Sequence, residues 1–202
     1  SMVSWSLQTP MMVSFMHYCK KASLFLVFIL TCLLAYAADH QAIIKNVDLK
    51  VSGEACMLNA DLEISLGKTV EEAINKGVPV EFVYDFKLIR PRSFWFDKVI
   101  AEASTRITVS YHALSRQYLV NQGDRQTSHE ILSEAMIELV QLYDWNVFDQ
   151  SLIEQDRAYQ AILHMYLNAS QLPKAIQVEA IRSEDWHLAS EPFEWLLKDL
   201  SR

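Results

Sequence analysis

The feature that most constrains this chain is a period of two, repeated along nearly all of it after residue 46. Val47, Leu49 and Val51 alternate with Asn46, Asp48 and Lys50. Leu58, Ala60, Leu62, Ile64 and Leu66 alternate with Asn59, Asp61, Glu63 and Ser65. Side chains of a strand point to opposite faces in turn, so this pattern predicts strands buried on one side only. Only Gly53-Glu54 stands between the first two runs, which therefore read as a hairpin. Further strand faces are Val80 to Leu88, Thr105 to Tyr111, Arg116 to Val120 and Tyr159 to Leu167. Gln177 to Arg182 is read as a seventh strand.

Two segments switch to helical spacing. Thr69-Val70-Glu71-Glu72 has the form of a capping box, and the short helix it opens stops at Gly77, with Pro79 beyond. A longer helix is expected to open at Thr127 or Ser128. Ile131, Leu132, Ala135, Met136, Leu139 and Val140 lie on one of its faces, and Glu130, Glu134 and Glu138 line the solvent face. The expected fold is mainly β (α+β): an antiparallel sheet or β-sandwich of about seven strands, with one long and one short covering helix.

The start of the chain follows different rules. No Asp or Glu occurs in the first 21 residues, which end in Lys20-Lys21. An uncharged apolar run from Ala22 follows and closes on Ala35-Tyr36-Ala37. These are the three parts of a secretory signal peptide. Residues 1–37 are therefore read as a signal peptide cleaved after Ala37, with an uncleaved inner-membrane anchor as the alternative. Met2, Met11, Met12 and Met16 all stand as possible starts. Residues 38–202 are read as a single β-rich periplasmic domain.

That segment carries 16 basic and 25 acidic residues, a net charge of −9. A nucleic-acid binder shows a basic excess instead, so no nucleic-acid partner is expected. The charge is uneven, however. Lys87, Arg90, Arg92, Lys98, Arg106, Arg116 and Arg125 fall in one stretch with only three acidic residues. Such a stretch either faces an anionic partner or pairs locally along strand faces.

Chemical motifs are scarce. The four glycines, Gly53, Gly67, Gly77 and Gly123, are isolated, which excludes glycine-rich phosphate loops and a G-x-S-x-G elbow. His40, His112, His129, His164 and His187 show no metal-ligand spacing, and Cys56 is the sole cysteine after the leader. No metal or cofactor is expected. A hydrolase assembled from residues distant in sequence is the residual enzymatic reading.

The most unusual stretch is Ile89-Arg90-Pro91-Arg92-Ser93-Phe94-Trp95-Phe96-Asp97-Lys98, between two strands. Arginines followed by clustered aromatics suit a protein-binding hot spot, and equally a membrane interface. A hairpin that folds its rings back onto the sheet is the third reading. Trp186, Phe193 and Trp195 form a second aromatic group, read as packing against the core.

Several blocks resemble a known bacterial family. They are Tyr111-His112-Ala113-Leu114-Ser115-Arg116-Gln117-Tyr118, Asp144-Trp145-Asn146-Val147, Ser170-Gln171-Leu172-Pro173-Lys174 and Asp185-Trp186-His187-Leu188. Together with the Arg-Pro-Arg segment they resemble domain of unknown function 4390, over roughly Ile43 to Trp195. The resemblance implies an exported envelope protein of Gram-negative bacteria, encoded near a nitrogen-regulation-type sensor kinase and a ribosomal RNA methyltransferase. It implies no activity, cofactor or catalytic residue. The functional expectation is a non-enzymatic periplasmic module that binds an envelope protein, as an accessory to a membrane sensor kinase. Arg90, Arg92, Phe94, Trp95 and Phe96 are the expected contacts, supported by Arg116 and Tyr118. A protein that docks on the membrane surface through the same loop is the rival.

Overall fold

The computed structural model describes residues 42–92, 96–154 and 157–197. The expected signal peptide at 1–37 lies outside them. Among the described residues nine strands form two antiparallel sheets. The smaller has the order β1 (Ala42–Ser52), β2 (Ala55–Ile64), β7 (Gln141–Asp149). The larger runs β6 (Arg125–His129), β5 (Gln117–Gln122), β4 (Lys98–His112), β3 (Val80–Arg90), β8 (Tyr159–Leu167), β9 (Phe193–Leu197). The described helices are α1 (Lys68–Asn75), α2 (Leu132–Val140) and α3 (Lys174–Ala180). The mainly β expectation holds. Among the described residues the strand count is nine rather than about seven, and three short α-helices stand where one long and one short were expected.

Both sheets contribute to one core. Leu58, Ala60 and Leu62 of β2 are buried with Phe82, Tyr84, Phe86 and Leu88 of β3 and Ala161, Leu163 and Met165 of β8. The Phe86 ring stacks on Phe148 of β7 at 5.8 Å and meets Trp145 edge-on at 6.5 Å. Offset and edge-on rings suit the quadrupoles of both partners. The expected β1–β2 hairpin is present: Ser52 pairs with Ala55, and Gly53 takes the left-handed φ of +64° that the tight turn needs. Phe193 and Trp195 pack on the core from β9, whereas Trp186 is buried in a 3₁₀ turn at Glu184–Trp186.

Three local expectations are corrected. The capping box at Thr69 does not form: α1 opens at Lys68 after Gly67, with no side-chain cap, and the Thr69 amide donates instead to Asp185 Oδ2 at 3.0 Å. Its other end behaves as expected. Gly77 has φ +85°, its amide reaches Ile74 O at 2.9 Å, and the Val78 amide reaches Ala73 O at 3.0 Å, which is a Schellman closure. The helix expected from Thr127 begins only at Leu132, because Gly123 turns the chain and Arg125–His129 extends the ladder beside β5. Glu130 therefore lies outside α2. The strand expected over Gln177 to Arg182 is mostly helix α3, which follows Pro173. The Gln177 side-chain Nε2 donates to Ser170 O and Leu172 O, both at 2.7 Å, and ties the helix to the preceding turn. Finally, β7 was not anticipated.

Candidate functional site

The Arg-Pro-Arg and aromatic segment is the tip of the β3–β4 hairpin. Arg90 pairs with Lys98 at the last rung, and Pro91, which lacks an amide proton, ends the ladder. Phe94 and Trp95 lie outside the described residues. Phe96 is 96% exposed, so it does not fold back onto the sheet. Val99 of β4 is also exposed. The loop is closed by the Arg92 amide, which donates to Asp97 Oδ1 at 3.1 Å.

The two arginines differ. Arg90 is mostly buried along its side chain, and its Nη1 donates to both Glu154 oxygens at 3.2 Å. Glu154 in turn lies 3.5 Å from Arg157, and its amide donates to the Tyr159 hydroxyl at 3.0 Å. Arg90 thus braces the hairpin against the segment that enters β8. Arg92 is exposed and, like Lys98, makes no ion pair among the described residues.

The same test sorts the rest of the basic stretch. Lys87 pairs with Glu102 at 2.8 Å, Arg106 with Glu81 at 3.8 Å, and Arg125 with Glu138 at 3.4 Å. With Arg90, four of the seven cations are compensated locally. The uncompensated ones are Arg92 and Lys98 at the tip, and Arg116.

Arg116 and Tyr118 are not brought to the tip. They belong to the β4–β5 hairpin, at the other end of the 15-residue strand β4, roughly 45 Å away along it. The Tyr118 hydroxyl donates to Asn75 Oδ1 at 2.7 Å, and its ring lies 5.0 Å from Tyr111. Arg116 is exposed and adopts φ +56°, a conformation that non-glycine residues reach at a cost. Leu114 in the same turn is 92% exposed. The His112 Nδ1 accepts from the Ser115 amide at 3.3 Å and lies 3.0 Å from Ser115 Oγ.

Two further clusters escaped the sequence reading. Glu138, expected on a solvated face, is only 19% exposed along its side chain. Its Oε1 accepts from Thr127 Oγ1 at 2.7 Å and lies 2.8 Å from His129 Nε2. The threonine hydroxyl meets the carboxylate directly rather than through the imidazole, so the cluster clamps β6 to α2 and does not form a nucleophile–base relay. The second is a shallow cavity of about 190 Å³ lined by Ala169, Ser170, Gln177, Ala180, Ile181 and His187. Its Ser170 hydroxyl donates to Asn168 Oδ1 at 2.6 Å, not to His187. Among the described residues, no group of three or more His, Cys, Asp or Glu side chains is placed to hold a metal ion.

A family model matches residues 39–196, almost the whole described region. The chain belongs to the family of domain of unknown function DUF4390. The hairpin tip, both flanking strands and the β4–β5 turn all fall within the matched range. No curated protein and no solved structure matches the chain.

Proposed function

We propose that this DUF4390 protein is an exported envelope protein that acts as a non-enzymatic binding module, with the β3–β4 tip as its contact surface and a membrane-sensor-type envelope protein as its partner. The observation that carries this reading is the exposure of Phe96 between two cations, Arg92 and Lys98, that have no carboxylate partner among the described residues. An exposed aromatic ring on a short loop that also carries an arginine and a lysine is the composition of an interface anchor. Phe94 and Trp95 extend the same tip in sequence. Arg90 serves as the brace that fixes the angle of the hairpin.

The test is a photo-crosslinking amino acid in place of Phe96, in living cells, with the adduct identified by mass. A single recurrent protein adduct supports the reading. Adducts to phospholipid alone overturn it in favour of membrane-surface docking, which the same cations would serve. Phe96→Ala separates binding from folding. The ring is solvent-exposed, so its removal should change stability by less than about 0.5 kcal/mol while abolishing the adduct made by a crosslinker at Trp95.

A further inference from the structure

The edges of the two sheets are not alike. The strands β6 and β9 have five residues each. The strand β7 is broken by Asp144 at φ +51° and by two register shifts against β2. Short or kinked edges resist pairing with another strand. The outer edge of β1 is different. It has 11 residues, and among the described residues its only pairing besides β2 is a single bridge from Ala42 to Ser190. Its one bulge is confined to Lys45, and Asn46–Ser52 pairs residue for residue with β2. Among the described residues, an edge of seven residues, about 23 Å, is thus left unpaired.

We propose that a second copy of this chain pairs with that edge, antiparallel, across a two-fold axis at Leu49. Charge selects the register. With the axis at Leu49, Lys50 of each copy lies opposite Asp48 of the other, and Val47 lies opposite Val51. With the axis on Asp48, two carboxylates face each other. With the axis on Lys50, two ammonium groups face each other, and an axis between two residues would set a core-facing side chain opposite a solvent-facing one, which the pleat does not allow. Opposite charges across a strand pair stabilise it and like charges oppose it. The two groups are available for exchange: Lys50 and Asp48 form only an exposed ion pair at 3.1 Å within one strand. Val47, Leu49 and Val51 are half-buried on the core side of the sheet, and the paired strand covers their remaining surface. The three-stranded sheet becomes a continuous six-stranded one, and the contact is self-complementary, as a two-fold requires.

The test uses the purified chain with Cys19 and Cys32 replaced by serine, which leaves only the buried Cys56. Leu49→Cys should give a disulfide-linked dimer under mild oxidation, because the two side chains meet on the axis. Val51→Cys alone should not, whereas a mixture of Val47→Cys and Val51→Cys chains should. In sedimentation, Asp48→Lys should weaken association at least tenfold, and Asp48→Lys/Lys50→Asp should restore it. Circular dichroism confirms that each variant is folded. Several results overturn the proposal: a monomer at all concentrations up to about 100 µM, equal cross-linking of Leu49→Cys and Val51→Cys, or a folded charge-swapped variant that does not regain association.

Discussion

Tyr84 offers the sharpest test of how the sheets and α2 are joined. Helix α2 ends at Val140 and the chain passes directly into β7, without a glycine cap. The last four carbonyls of a helix lack partners within it. Leu139 O, one of these, accepts from the hydroxyl of Tyr84, a residue of β3 with no exposed surface. Tyr84→Phe keeps the ring and leaves that carbonyl buried and unpaired. The expected cost is about 2 kcal/mol, within the usual ~1–3 kcal/mol for an orphaned buried group. For a domain of this size that lowers Tm by about 4–8 °C. The pH dependence is equally diagnostic. Burial pushes the Tyr84 phenol far above its ordinary value. A group whose pKa is raised by folding contributes stability that is complete below its unfolded pKa, here about 10, and is lost above it at about 1.4 kcal/mol per pH unit. The phenylalanine variant has no such loss at this position. Tyr166, also raised by burial and then by Asp85, is present in both proteins and cancels in the difference. The gap between the urea unfolding free energies should therefore be largest at pH 7 and about 1.4 kcal/mol smaller at pH 11. Equal stability at pH 7, or a gap that does not change with pH, would refute the assignment of this hydrogen bond.

Three other variants probe the joints that hold α1 and α2 to the rest of the domain. Asp185 is held below the usual carboxylate range by hydrogen bonds from the Thr69 hydroxyl and amide. Its stabilisation is present above the ordinary carboxylate pKa and lost as pH falls through the lowered one, so Asp185→Asn should flatten the acid limb of a urea-midpoint profile; an unchanged limb would remove Asp185 from acid unfolding. A Cβ at Gly67 would lie 2.5 Å from Asp185 Cγ, so Gly67→Ala should cost about 1–3 kcal/mol by thermal melting. Glu138→Ala should cost about 1–2 kcal/mol and speed amide exchange in β6 before other strands; uniform exchange would show that the clamp is not local. Cys56 is fully buried, and burial, with Asp149 adding to it, raises its thiol pKa. Its alkylation, read by peptide mapping, should proceed only at the global unfolding rate.

The strands that could be read in advance are those with one strictly buried face. In β8, Tyr159, Ala161, Leu163, Met165 and Leu167 are all buried and the residues between them are not. The strand β7 hid because its phase flips: Leu142 is buried on one side of Asp144, and Val147 and Phe148 on the other. Left-handed Asp144 and two bulges break the alternation that a period of two relies on. Polar β6 had no apolar face to show, and Thr127 and Glu130 there imitated a helix start. In α3 the alternation was misleading, since Val178 and Ile181 are exposed. At the site, the aromatic loop was legible because Pro91 and the clustered rings are local signals. The Arg90–Glu154 brace joins residues 64 apart in the chain, and no local pattern encodes it.

The separation of the seven candidate residues explains why one contiguous basic stretch can serve two purposes. Along β4 the cations nearest the middle are spent on neighbouring strands: Arg106 on Glu81, and Lys87 of β3 on Glu102. These pairs are exposed and individually weak, but they leave little net charge on the flat of the sheet. At the last rung Lys98 faces Arg90, which is itself committed to Glu154, and beyond that rung no strand lies opposite Arg92. The one tip carboxylate, Asp97, is bound to the Arg92 backbone amide, so the Arg92 and Lys98 side chains stay without an ion pair among the described residues, near a ring that is almost fully exposed. At the other end of β4, Tyr118 is committed to Asn75 and Tyr111 and anchors β5 to α1. A change at Tyr118 then acts through folding, and a change at Phe96 acts on whatever meets the tip.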